Sequence, residues 1–292
     1  MRILTFDIED WFHILHKYPE NILEKWGNYE VRIHNGMDRI FKVLLDNDIK
    51  ATFFVVGYIA RKHPEIIRKI TELGFEVAAH SDMHKVAYKQ TKKEFKEDLK
   101  KCIFSIEDII GKKVVSYRAP GFSIKRENIW VFEVLYNMGI MYDASIFPAE
   151  RENGGFASFS ASEPSIIYDK SFEIKEFPMS TNIFFGKKFT ATGGGYFRFF
   201  PYRLIRSLIS KSDYTMTYFH PRDFDANQPM LEGLSLKRKF KSYFNLSTSY
   251  VKLKQLVYDF DFIDISEASK RINWDAAPRF SIDELSLKLN NK

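Results

Sequence analysis

Short apolar runs alternate with stretches of helical period from the second residue onward, and this alternation limits the fold more than any other feature. Arg2 to Ile8, Ala51 to Val56, Phe75 to Ala79, Lys113 to Tyr117, Ile140 to Asp143, Phe172 to Phe177, Thr215 to Phe219 and Asp261 to Ile265 read as strands. Between the first two, Asn35 to Asp46 carries Ile40, Phe41, Leu44 and Leu45 at helical spacing. His63-Pro64 opens a helix that Gly74 closes. Thr91-Lys92-Lys93-Glu94 is a capping box before the apolar stripe Phe95, Leu99, Cys102, Ile103, Ile106 and Ile110. Further helices are expected over Glu127 to Met138, Pro201 to Ile209 and Ser249 to Tyr258. Repeated strand-then-helix units imply parallel strands with helices outside. The expected class is α/β, a distorted (β/α) barrel of about seven parallel strands. No repeat or linker divides the 292 residues. Residues 1–272 therefore read as one catalytic domain, 149–165 as a long loop, and 273–292 as a polar tail with one short amphipathic stretch.

Composition closes off several classes. With 45% hydrophobic and 28% charged residues the chain is globular, not disordered. The single cysteine, Cys102, excludes an internal disulfide and a cysteine zinc cage, and its place on an apolar stripe makes it a core residue. No run of 18 apolar residues is long enough to span a bilayer. Residues 1–7 lack an apolar stretch of signal-peptide length, so a cytoplasmic location is expected. The net charge is +6, and Lys237, Arg238, Lys239, Lys241, Lys252 and Lys254 fall in a segment without acids. That segment is either a solvated helix face or a patch that meets anionic lipid at the inner membrane surface or a phosphorylated substrate.

In parallel α/β barrels, active sites collect at the C-terminal ends of the strands. Here the first strand ends in Asp7-Ile8-Glu9-Asp10 and the third in His80-Ser81-Asp82-Met83-His84. The fourth ends in Arg118-Ala119-Pro120-Gly121, and the strand near 215 in His220-Pro221-Arg222-Asp223. His80 and His84 are four apart, a spacing that on a helical turn aims two imidazoles at one ion. Two histidines and a carboxylate make a catalytic metal site with positions left for water. Asp7 and Glu9 face one side of an extended strand, and Asp10 faces the other. The same-face argument favours Glu9 as the carboxylate ligand, with Asp10 as the alternative.

In these segments the chain resembles the polysaccharide deacetylases, the NodB-homology group of carbohydrate esterase family four. Thr5-Phe6-Asp7-Ile8-Glu9-Asp10-Trp11 is similar to the first motif of that family in its D-x-[DE] variant. His80-Ser81-x-x-His84, Arg118-Ala119-Pro120-Gly121-Phe122 and Thr217-Tyr218-Phe219-His220-Pro221 resemble three later motifs. Gly193-Gly194-Gly195-Tyr196-Phe197-Arg198 and His220-Pro221-Arg222-Asp223-Phe224-Asp225 resemble a subgroup of surface-polysaccharide gene clusters. The resemblance implies a distorted barrel holding a divalent metal, usually zinc, on two histidines and a carboxylate. It implies Asp7 as catalytic base, oriented by Arg118, and His80 and His84 as ligands. It also implies the Gly121 N–H as oxyanion donor and His220 as general acid. Many members have adjacent aspartates in the first motif, and Ile8 breaks that pattern here.

Metal-assisted hydrolysis of an amide suits this inventory, with a base for water and an acid for the leaving amine. The expected substrate is an N-acyl, most simply N-acetyl, amino sugar of a polysaccharide or of its lipid- or nucleotide-linked precursor. Hydrolysis of another linear or cyclic amide is the rival enzyme reading, and a carbohydrate-binding protein the non-enzyme one. Trp11, Phe122, Tyr196 and Phe197 are set either to stack on a sugar ring or to pack in the core. Gly193 to Gly195 would let backbone approach the substrate. His13, His16, His34 and His63 read as surface or packing residues, with His13 and His16 also placed to line the groove. The partners expected are a carbohydrate or sugar precursor, no nucleic acid, an anionic membrane surface met through residues 237–254 and, as an option, a second copy of the chain.

Overall fold

Eight strands form one sheet in the order β12-β7-β8-β6-β5-β4-β3-β2 in the computed structural model, which describes residues 1–13, 25–184 and 186–287. The strands are β2 (Thr5–Ile8), β3 (Thr52–Val55), β4 (Glu76–Ala79), β5 (Ser116–Tyr117), β6 (Tyr142–Asp143), β7 (Ser165–Asp169), β8 (Phe172–Glu176) and β12 (Arg279–Ser281). From β2 through β6 to β8 every ladder is parallel. A separate parallel pair, β1 (Arg2–Ile3) with β11 (Thr215–Met216), continues past β2. Isolated bridges Phe6–Phe219 and Ile3–Ile263 extend that edge. Among the described residues no ladder joins β11 to β12, so the expected barrel is a curved sheet left open.

Three local differences from the sequence reading have clear causes. The run Arg2 to Ile8 breaks at Leu4, whose N–H donates to Ile263 O at 3.1 Å while its carbonyl accepts from Thr52 N at 3.0 Å. The chain thus changes neighbours there and serves two ladders. The expected strand Asp261 to Ile265 shrinks to the single bridge at Ile263, because the helix Ile265–Arg271 begins at once, capped by Asp264. Finally, within the segment read as a polar tail, Arg279–Ser281 joins the sheet. Arg279–Ser281 pairs in parallel with β7, and β7 runs antiparallel to β8. Trp274 packs edge-on against Phe177, Phe280 lies 4.7 Å from Phe159, and Leu285 is buried. Polar residues alternate with these apolar ones, as in a half-buried edge strand.

Helices cover the sheet: Ile33–Asp46, Gly57–Lys62, Pro64–Glu72, Lys92–Ile110, Val131–Asn137, Tyr202–Ser210 and Leu246–Asp259. The capping box at Thr91 and Glu94 is formed, and Gly111 ends its helix in the left-handed conformation. Cys102 is fully buried, as its place on the stripe requires. Gly36 lets the helix Ile33–Asp46 touch the turn after β11, since a Cβ there would stand 2.2 Å from Pro221 O. None of the described helices is long and apolar enough to cross a membrane.

The basic segment is not one solvent-facing patch. Lys252 is buried, and its ammonium donates to the carbonyls of Phe197, Arg198 and Phe200 at 3.1, 2.8 and 2.8 Å. Arg238 and Lys241 turn toward Glu152.

Candidate active site

Parallel pairing places strand ends side by side, and here it gathers acids and imidazoles into a cavity of about 580 Å³. Asp7 ends β2 beside Phe54 of β3, and His80 leaves β4 with its N–H on Val55 O at 2.9 Å. Asp7, Glu9, His80, His84, Gly121, Phe122, Tyr196 and His220 all line the cavity, and all but Gly121 and Tyr196 are at least four-fifths buried.

Arg118 is fully buried and fixes Asp7. Its Nη1 donates to Asp7 Oδ1 at 2.6 Å and to Thr5 Oγ1 at 2.8 Å, its Nε donates to Ala144 O at 3.2 Å, and its guanidinium lies 4.1 Å over Phe54. A pair this buried contributes little net stability, because desolvation offsets its attraction, but it holds one carboxylate oxygen in place. Asp7 Oδ2 is left facing His80 Nε2 at 4.0 Å and His220 Nε2 at 3.9 Å.

Glu9, His80 and His84 form the candidate metal centre, with one ligand atom from each lying within 4.8 Å of the others. Glu9 Oε2 is 2.7 Å from His84 Nε2, yet that oxygen has no hydrogen bond of acceptable geometry. A buried carboxylate oxygen without a proper donor is costly, and two histidines beside it are the donor set that a divalent ion satisfies. Burial would push the Glu9 carboxyl up, but His84 and His220 pull it down to about 2. Burial holds the His80 imidazole down at about 4 against the pull of Asp7, so the ring is neutral, as a ligand must be. His80 Nδ1 lies 2.7 Å from Arg118 O, which fixes that ring.

The two histidines do not sit on a helical turn. Residues 80–84 form a loop in which Ser81 and His84 are left-handed, with φ of 64° and 53°. Its backbone is held from outside. Gly57 N and Tyr58 N donate to Ser81 O and Asp82 O, and the Asp98 carboxylate accepts from Asp82 N at 2.7 Å and Met83 N at 3.4 Å. Asp82 in turn pairs with Arg61 and Lys101.

Asp10 lies two residues past the end of β2 and does not line the cavity. Its Oδ1 accepts from Trp11 N, and its Oδ2 accepts from Arg32 N and Ile33 N at 3.1 and 3.2 Å at the start of the helix Ile33–Asp46. Trp11 is a core residue outside the cavity, with its indole N–H on Glu30 O and its ring among Phe12 and Tyr29. Phe197 is likewise core. Tyr196 lines the cavity half-exposed and stacks on Phe200. The glycines serve Tyr218 first, since a Cβ on Gly193 would stand 2.2 Å from Tyr218 O.

His220 is held by residues the sequence reading did not single out as site residues. Its Nδ1 is 3.0 Å from Asp223 Oδ2, and Asp223 also pairs with the buried Arg198. Burial alone would lower the His220 pKa, but Glu9, Asp223 and Asp7 together raise it. Asp223 is held well below the usual carboxylate range, because Arg198 and His220 outweigh its burial. Both residues were visible in the quoted motifs, three and 22 positions from His220, but nothing local ties them to it.

The other histidines divide. His13 is buried against Trp26 at 4.1 Å, accepts from Asp10 N through Nδ1, and is held down at about 3, first by burial and then by His84. His34 and His63 meet Glu65 in a half-exposed group with similar ligand spacing but no orphaned buried atom. His16 lies outside the described residues.

Residues 4–140 match the family described as polysaccharide deacetylase, and residues 144–270 match one described as a domain of unknown function, DUF3473. A peptidoglycan deacetylase of Helicobacter pylori is 31% identical over 111 residues, which cover 38% of this chain and 37% of that protein. A peptidoglycan deacetylase-like protein of Gibberella zeae is 30% identical over 113 residues, 38% of this chain and 32% of that protein. The chain thus spans about a third of the length of these curated relatives. A crystal structure from Mycobacterium smegmatis, assigned to the polysaccharide deacetylases, superposes with a TM-score of 0.67 at 20% identity, covering 96% of this chain and 92% of that one. The distorted, mostly parallel sheet is therefore the fold of that structure. Residues 4–140 thus carry a polysaccharide deacetylase domain, and the DUF3473 region, 144–270, supplies β7 and β8 of the sheet and the far wall of the cavity.

Proposed function

We propose that the chain is a metal-dependent hydrolase of an N-acyl, most simply N-acetyl, group on an amino sugar. One observation carries the reading. A single cavity sets Asp7, fixed by Arg118, and His220, fixed by Asp223, beside the Glu9, His80 and His84 donor set. Glu9, His80 and His84 would hold a divalent ion, zinc by the nature of the donors, which supplies Lewis acidity toward an amide carbonyl and toward water.

The remaining roles belong to the protein. Asp7 Oδ2 faces the cavity while Oδ1 is engaged, so it is the atom that accepts the proton of an attacking water. His220 presents Nε2 to the same space with Nδ1 held, and its raised pKa keeps it a proton donor for the leaving amine nitrogen. Gly121, which lines the same cavity beside Phe122, would be the oxyanion donor through its N–H. Water adds to the acyl carbon, the C–N bond breaks, and a carboxylic acid and an amine leave.

Purified protein assayed for metal and for amine release from N-acetylglucosamine oligomers and sugar nucleotides tests this. About one bound metal per chain is expected, with amine release abolished by chelation. Release that survives both metal removal and Asp7→Asn would overturn it.

A further inference from the structure

We propose that the same cavity carries an oxyanion subsite centred on Arg151, and that the substrate is an amino sugar bearing a phosphate or carboxylate rather than a neutral glycan. This deepens the deacetylase reading and rests on it. Arg151 lies on the cavity wall, its guanidinium 4.5 Å from the Phe147 ring and 5.3 Å from both Phe122 and Tyr218. Among the described residues its side-chain hydrogen bonds go to Tyr218 Oη alone, at 3.3 and 3.4 Å, and they are long. Among the described residues no carboxylate reaches it within 4.0 Å. Phe122 follows Gly121, and Tyr218 lies 6.1 Å, ring to ring, from His220. Arg151 therefore packs on neighbours of both the proposed oxyanion donor and the proposed acid.

A guanidinium packed within 4.5–5.3 Å of three aromatic rings is oriented by them and has lost part of its water. In such surroundings its attraction for an oxyanion is strengthened. The neighbourhood adds charge of the same sign. Arg222, nine-tenths buried, also lines the cavity and among the described residues bonds only to neutral groups, Gln228 Oε1 and Ser242 O. At the rim Arg238 and Lys241 meet the exposed Glu152 carboxylate at 3.4 and 3.3 Å. Glu152 is thus an oxyanion of the chain's own at the place where a substrate's would arrive. Tyr196, Phe199, Phe240 and Phe244, each at least 40% exposed, give sugar rings a stacking wall beside these cations.

The test compares kcat/KM on three amides: a neutral N-acetylglucosamine oligomer, N-acetylglucosamine 1-phosphate and N-acetylmuramic acid. The wild type should favour an anionic substrate, with a preference that falls as salt rises. The phosphate and carboxylate arms tell which oxyanion it is. Arg151→Ala should reduce that preference roughly 10–100-fold, the loss expected for charge-assisted hydrogen bonds. Arg151→Lys should recover only part of it, lacking the paired donors. Glu152→Gln, which removes the internal competitor, should raise the preference. Equal losses on neutral and anionic substrates would make Arg151 a hydroxyl contact or a structural residue and overturn the subsite, as would a wild type without anionic preference. Should no substrate release amine, calorimetry with N-acetylglucosamine 1-phosphate against N-acetylglucosamine separates the cases. Binding that prefers the phosphate and depends on Arg151 keeps the subsite and sinks the deacetylase reading, and binding without that preference sinks the subsite.

Discussion

The deacetylase-family half and the DUF3473 half build one cavity by different means. In the first half Asp7, His80 and Arg118 each stand at or just past a strand end, and neighbouring parallel strands bring them together. In the second half His220 depends on Asp223, Asp223 on Arg198, and Arg198 on Lys241 O through its own Nη2. The carbonyl of Arg198 is in turn held by Lys252 and Asn245. Parallel pairing thus sets Asp7, His80 and Arg118 side by side, while longer-range contacts hold the loop that bears His84 and brace the proposed acid.

That contrast breaks most sharply on metal content. His80→Ala and Glu9→Gln should lose most bound metal and nearly all turnover, whereas His220→Ala should keep the metal. Metal lost equally from His220→Ala, read by elemental analysis of the purified variants, would erase the distinction between the halves. Next in size, Asp7→Asn should lower turnover by about 10²–10⁴-fold with much of the metal retained. His220→Ala should lose comparably on an amide but far less on an activated aryl ester, whose leaving group needs no proton. Equal losses on both would remove His220 as the acid.

A smaller effect sharpens the comparison through pH. A donor must be protonated, and the raised pKa of His220 keeps it so to higher pH. The falling limb of the rate profile should therefore lie above the ordinary imidazole value of about 6.5. Asp223→Asn removes one of the anions that raise it, so the limb should move to lower pH. A limb that stays put would show that Asp223 is only a packing partner. The smallest effects concern stability. Lys252→Met leaves three carbonyls without their donor and should cost about 1–3 kcal/mol in denaturant unfolding. Asp10→Asn should cost about 1 kcal/mol or less and leave metal binding intact, because Asp10 holds a helix start rather than the metal centre.

What could be read from the sequence followed the same divide. Alternation along the first strand put Asp7 and Glu9 on one side and Asp10 on the other; β2 ends at Ile8, so the turn after it, not the strand, carries Glu9 to the cavity and Asp10 to the helix Ile33–Asp46. The loop 80–84 was misread as a helical turn, since the Asp98 that shapes it lies on another element. Trp11 read equally well as a platform or as core, because pattern alone cannot tell which apolar surface a ring will meet. The antiparallel β7 begins where the expected loop 149–165 ends and went unassigned, and the edge strand β12 lay in the expected tail, where short mixed runs give no clear period. Asp223 and Arg198 sat inside quoted motifs, yet their link to each other spans 25 residues and exists only in the folded chain.

Lys252 carries one more consequence, in the order of assembly. The helix end that bears Arg198 is closed by an ammonium some fifty residues further along the chain. A nascent chain that has emerged only to residue 225 already contains every motif, and its strands can pair through β8. It nevertheless lacks the donor that secures Arg198, and with it the brace beneath Asp223 and His220. On the proposed roles, the brace of the acid would thus be completed late in synthesis, after the candidate metal ligands and their strands have emerged.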